Sequence, residues 1–155
     1  GHRLIEENAV EVIMRRLMPL ARVITPNIPE AEILAGCSIS GEDVFYYIAR
    51  KLSGNTGVSV LLKAGHLSGD SLVDYFYNAE DGIMTKLPSK RVHTRNTHGT
   101  GCTLSSAFAA ALAKGEDLTA AAVSAKKYIE QAIISGADYE IGGGHGPVNH
   151  FWSMG

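Results

Sequence analysis

The 155-residue chain has only two cysteines, Cys37 and Cys102, far apart and without CxxC spacing. That argues against a disulfide framework or a cysteine zinc site and fits a reducing cytoplasm. No apolar run approaches the roughly 18 residues of a membrane span. The N-terminus also lacks a basic segment leading into an apolar core, so no export signal is visible. Charge of one sign is scarce as well: 14 Lys and Arg against 16 Asp and Glu leave a net −2. Such a balance points to small-molecule partners rather than nucleic acid or anionic membranes. Six histidines occur, but in neither H-x3-H nor HExxH spacing, so histidine metal ligation is not indicated. GxxxxGK[ST], a GxGxxG following a strand, and a GxSxG elbow are all absent, which removes the P-loop, the dinucleotide fold and the serine-hydrolase elbow.

What is present reads as one α/β domain, because helical and strand patterns alternate without repeat or linker. Residues 4–18 carry the apolar spacing of an amphipathic helix, and "ARVITPN" reads as a short buried strand ending at Pro26. The chain lacks an initial Met and enters a helix almost at once, as a cut through a larger fold would. Asn27 and Glu30, with a proline in the first turn, predict a helix start, and Gly36 predicts its end. "SGEDVFYYIARKLSG" predicts a further helix with Ser40 and Asp43 as a cap pair and Gly54 as the stop. "VSVLLKAG" reads as a strand buried on both faces, with Lys63 at its C-terminal end, the end that faces the ligand crevice in open α/β sheets. "SLVDYFYNAEDGIMTKL" reads as a hairpin turning at Asp81-Gly82. "CTLSSAFAAALAKG" and "DLTAAAVSAKKYIEQAII" give two more helices, the second burying Leu118, Ala121, Ala122, Ala125, Ile129, Ala132 and Ile133 along one face. The tail "GGGHGPVNHF" has no period and reads as a loop.

The segment "TRNTHGTGCTLSSAFAAALAKG" raises the chemical question. Gly99, Thr100 and Gly101 run into Cys102 at the start of a helix. A loop of small residues there presents backbone N–H groups to one point, and the helix dipole makes that point an anion site. The same field favours a thiolate that can act as base or nucleophile. The plainer alternative, a tight turn over a buried and inert cysteine, stays open on these residues alone.

Four motifs in order, "TPNIPEAEILAG", "LLKAGHL", "NTHGTGCTLSSAFAAAL" and "GGGHGPVNHF", resemble the hydroxymethylpyrimidine/phosphomethylpyrimidine kinases of thiamine biosynthesis. These belong to the ribokinase-like superfamily. The resemblance implies a three-layer α/β/α sandwich on a mostly parallel sheet, with residues 1–155 as the C-terminal part of a single kinase domain whose N-terminal part is missing. It implies ATP-dependent phosphorylation of 4-amino-5-hydroxymethyl-2-methylpyrimidine and then of its monophosphate, with Mg²⁺, by a cytoplasmic protein that is a homodimer when complete.

Residue by residue, the resemblance gives Gly99, Thr100, Gly101 and Cys102 as the anion hole around the transferred phosphoryl, and Cys102 as catalytic base. Many sugar-kinase relatives have Asp in that place. It gives Asn27 and Glu30 as the TPN-x-x-E motif that helps to hold magnesium, often through water, a role compatible with capping. Lys63, Thr94 and Lys126 match positions near ATP. A helix lysine is more often a solvated charge, and a strand threonine more often structural. Most pyrimidine-contacting residues of the family have no counterpart in the chain, so the isolated 155 residues are expected to be inactive. Three readings follow: half of a pyrimidine kinase, a related pyridoxal kinase, or a non-catalytic module that binds nucleotide or pyrimidine. Cys37, after Gly36, reads as a buried small residue and His98 as a shaper of the loop.

Overall fold

The computed structural model describes residues 7–64 and 71–154, which fall into two compact units. One lies within residues 1–67 and 73–86, the other within 68–72 and 87–155. The predicted first helix is present as α1 (Glu7–Val12), loosens into a π turn at Ile13–Leu17 and tightens into a 3-10 turn at Met18–Leu20. Pro19 stands in that tight turn and the backbone is extended by Ala21. The predicted helix residues 4–6 lie outside the described residues, as does the "GHL" of "LLKAGHL".

Four strands, β1 (Val23–Ile24), β2 (Ser59–Leu62), β3 (Ser71–Asn78) and β4 (Ile83–Lys90), form one sheet in the order β1-β2-β3-β4. β1 and β2 are parallel, whereas β2 and β3 are antiparallel. The sheet is therefore mixed where the resemblance implied mostly parallel strands, since β3 runs antiparallel to β2 before the chain enters the expected hairpin. Its turn is built from side chains: Asn78 donates to Asp81 and accepts from the Glu80 N–H, Asp81 accepts from the Ile83 N–H, and Gly82 supplies φ +73°. Short polar side chains that bind nearby backbone fix such a turn.

β2 is buried along its whole length, as a continuous apolar run predicts. Period-two alternation sends Val60 and Leu62 into one core with α2 (Ile28–Ala35) and α3 (Phe45–Ser53), where they meet Ala31, Phe45, Ile48 and Tyr75. Each fully buried large side chain there contributes about 1.5–3 kcal/mol. α3 shows one departure. Ser40 and Asp43 form no cap; a 3-10 turn at Glu42–Val44 leads into the helix without a side-chain bond to its first amides. With Gly41 as N-cap of that turn, Ser40 lies one residue too early and Asp43 is already inside it. Cys37 is half-buried rather than buried, with Lys51 Nζ 4.0 Å from its sulfur.

In the second unit α4 (Thr100–Ala113) and α5 (Leu118–Ser135) pack as neighbours. α5 buries the predicted face from Leu118 to Ala132, with Ile133 half-buried. Its first turn is capped by Asp117, which accepts from the Ala120 N–H at 2.8 Å. The tail is a loop, but a tightly held one. His98 and Pro147 form a parallel bridge, His98 N donating to Gly146 O at 3.0 Å and Val148 N to His98 O at 3.4 Å. Among the described residues, no helix is long and apolar enough to cross a membrane.

Candidate active site

In the first unit, the parallel pairing of β1 and β2 carries two of the sequence motifs to one place. Asn27 and Lys63, each just beyond its strand, are bridge partners, and Lys63 N donates to Pro26 O at 3.0 Å. Proline cannot donate, yet its carbonyl continues the ladder. Sequence spacing alone does not reveal this neighbourhood; strand register does.

The helix that follows Asn27 is closed upon itself. Asn27 Oδ1 accepts from the Glu30 N–H at 2.9 Å, and Glu30 Oε2 accepts from the Asn27 N–H at 2.8 Å, a complete capping box. One carboxylate oxygen of the exposed Glu30 is thus engaged in the cap. Among the described residues no group of three His, Cys, Asp or Glu could hold a metal ion. A cation reached through water by this single carboxylate fits that donor set, and a caged ion does not.

In the second unit the start of α4 is built the opposite way. Its N-cap is Gly99, at φ +85° in the left-handed region, and no side chain caps the helix. The Thr100 N–H goes back to Thr97 O at 3.3 Å, and the Thr100 hydroxyl to the same oxygen at 2.6 Å. Thr103 N donates to Gly99 O at 2.9 Å and closes the first turn. The amides of Gly101 and Cys102 precede that bond and have no intrahelical acceptor. Cys102 is exposed beside them. Two aligned donors, the positive end of a 14-residue helix and a thiol therefore share one turn.

Thr94 is half-buried, and its hydroxyl donates to Ala137 O at 2.8 Å while accepting from Asn96 N at 3.1 Å. It forms the wall of an open cavity of about 940 Å³ lined by residues 91–96 and 137–144. Lys126 is half-buried on α5.

Sequence reasoning passed over Asn96, which is buried and organises this region. Its amide nitrogen lies 2.9, 3.1 and 2.8 Å from the carbonyl oxygens of Gly136, Ala137 and Tyr139. Gly146 is required opposite it, because a Cβ there would clash with the buried Asn96 side chain at Oδ1 and Cγ. The signal available in the sequence was the pairing of a polar residue before the glycine loop with a glycine-rich tail, and only the fold joins the two.

The model of the phosphomethylpyrimidine kinase family matches residues 1–149. The chain is 43% identical over 97% of its length to the hydroxymethylpyrimidine/phosphomethylpyrimidine kinase of Rhizobium meliloti, of which it covers 56%. It is 45% identical to the thiamine biosynthesis bifunctional protein ThiED of Geobacter sulfurreducens, of which it covers 30%. Among solved structures, a Bacillus subtilis pyridoxal kinase in complex with ADP matches with TM-score 0.85 and 32% identity, over 98% of this chain and 56% of that one. The chain spans about half the length, or less, of these relatives. The likeness bears out the expected ribokinase-like α/β fold.

Proposed function

The chain belongs to the phosphomethylpyrimidine kinase family, and from that premise we propose that it is the nucleotide and catalytic part of an ATP-dependent kinase acting on 4-amino-5-hydroxymethyl-2-methylpyrimidine and its monophosphate. On this reading residues 1–155 are the C-terminal part of a single kinase domain. The observation that carries it is the uncapped start of α4 with Cys102 in its first turn.

The chemistry follows from that turn. The acceptor hydroxyl gives its proton to the sulfur of Cys102 as its oxygen bonds to the γ-phosphorus, and the bond from that phosphorus to the β–γ bridging oxygen breaks to release ADP. The amides of Gly101 and Cys102 face the charge that gathers on the transferred phosphoryl oxygens, and the glycines let it approach the backbone. Lys63 and Lys126 supply positive charge to the ATP phosphates. Thr94, its hydroxyl spent on Ala137, supports the wall near the nucleotide rather than a phosphate directly. Glu30, oriented by Asn27, would hold Mg²⁺ through water, and the ion when bound would neutralise phosphate charge.

The test uses a full-length protein carrying this sequence, with ADP release followed against the pyrimidine alcohol, its monophosphate and pyridoxal. Cys102→Ser keeps size but replaces the proposed sulfur base with a hydroxyl and should lower turnover by about 10²-fold or more, with Cys102→Asp recovering part of it. A serine variant as fast as wild type would remove Cys102 from the chemistry. Pyridoxal is the second reading, because the B. subtilis and Staphylococcus aureus structures that match the fold are pyridoxal kinases. A higher kcat/KM for pyridoxal than for the pyrimidine would select it.

A further inference from the structure

The tail that the proposed chemistry leaves unused grips the start of α4 at both ends. Its backbone at Gly146 and Val148 bridges His98, immediately before the Gly99 cap. Its side chain at His150 meets Thr103, immediately after Cys102: His150 Nε2 lies 2.9 Å from Thr103 Oγ1. Thr103 is buried, and its N–H closes the first turn on Gly99 O. The tail is in turn fastened to α5, Asn149 N donating to Ala132 O at 2.9 Å and Tyr128 OH to His150 O at 2.6 Å. Residues 98 and 103 are thus both tied, through one five-residue stretch, to the body of a neighbouring helix.

An uncapped helix start needs such support. α2 and α5 fix their first turns with Asn27 and Asp117, but α4 has no side chain of its own on its first amides. Without a cap, a first turn bound by a single backbone bond frays. Yet any cap would fill the space that a phosphoryl group is to enter. Holding the turn from the side, through a residue one place beyond the thiol, fixes it and leaves the amides open.

We propose that His150 is a positioning residue for the phosphoryl-transfer reaction: through Thr103 it holds the first turn of α4, and with it Cys102 and the Gly101 amide, in reacting geometry. The inference rests on the proposed kinase function for its consequence, though not for the clamp itself. A hydroxyl both donates and accepts, so the contact persists whether the imidazole offers a lone pair or an N–H. Reacting groups displaced by a fraction of an ångström lose rate more than binding, which gives this role a kinetic signature.

Two measurements separate the clamp from its consequence. In the first, amide hydrogen exchange of this chain is compared for wild type, His150→Ala, His150→Gln and Thr103→Val. Loss of one hydrogen bond should speed exchange at Thr103 and Leu104 by about three- to tenfold, leave the middle of α5 unchanged, and be largely reversed by His150→Gln. Thr103→Val should do the same, and the double variant with His150→Ala should add nothing further. In the second, a full-length protein carrying these substitutions is assayed: kcat should fall about three- to tenfold for His150→Ala with KM for ATP within about twofold of wild type. Unchanged exchange in folded His150→Ala and Thr103→Val would overturn the clamp. Faster exchange with kcat unaltered would overturn its role in the reaction. A wild type without any kinase turnover would instead sink the functional reading, and the exchange data would still decide the clamp.

Discussion

Two helix starts in this chain solve one physical problem in opposite ways. α2 begins at Asn27 with a reciprocal capping box, whereas α4 begins at Gly99 with no cap and leaves the amides of Gly101 and Cys102 without an intrahelical acceptor. Both lie in motifs that the family resemblance marks as functional. The difference teaches what each can do. A start whose Asn27 and Glu30 N–H groups are given to side chains keeps few donors for a ligand and offers a free oxygen of Glu30 instead, which suits a distant, water-mediated charge. A start that keeps its donors open can receive an anion directly.

The contrast can be broken by exchanging the designs. Gly99→Asp would set a carboxylate beside those donors, repel phosphate and strain a backbone held at φ +85°; turnover in the active full-length protein should fall by about 10²–10³-fold, as loss of an oxyanion site does. Steady-state kinetics would show it, and a variant retaining most of its rate would mean that the open amides are not used. Next in size is Lys63→Ala. Removing a charge-assisted partner of the ATP phosphates should raise KM for ATP about tenfold while calorimetric binding of the pyrimidine changes little. Loss of pyrimidine affinity instead would place Lys63 elsewhere.

At the closed start the effects should be structural and smaller. Asn27→Ala removes the acceptor for the Glu30 N–H and should lower unfolding free energy by about 1 kcal/mol, read from denaturant melts. The smallest effect belongs to Glu30→Gln, which preserves an oxygen for the Asn27 N–H and should change stability by less than about 0.5 kcal/mol. Its mark should appear as a need for several times more Mg²⁺ to reach half-maximal rate, about threefold by analogy with one weak charge contact. An unaltered Mg²⁺ requirement would reduce Glu30 to a cap.

The elements governed by local chemistry were legible in the chain alone. Asn27, Glu30 and Gly36 bounded α2 correctly because capping is a short-range affair, and Asp81-Gly82 announced its hairpin for the same reason. The buried run of β2 and the apolar face of α5 were readable from period. The cap expected from Ser40 and Asp43 failed because a 3-10 turn moved the helix start by a few residues, a shift that spacing cannot register. What stayed hidden is non-local. The bridge between Asn27 and Lys63 depends on strand register, and the bonds of Asn96 and Thr103 join residues 40 or more positions apart. The tail "GGGHGPVNHF", aperiodic and therefore read as a loop, derives its order from those distant partners.

The central claim, that the open start of α4 binds phosphoryl groups whereas the closed start of α2 does not, can be measured without turnover. The ¹⁵N-labelled chain would be titrated with pyrophosphate in the absence of divalent metal and its amide resonances followed. The account predicts saturable shifts at Gly101 and Cys102, with Asn27 and Glu30, whose N–H groups are already given to side chains, unmoved. Shifts absent from Gly101 and Cys102, or equally large at Asn27 and Glu30, would contradict it.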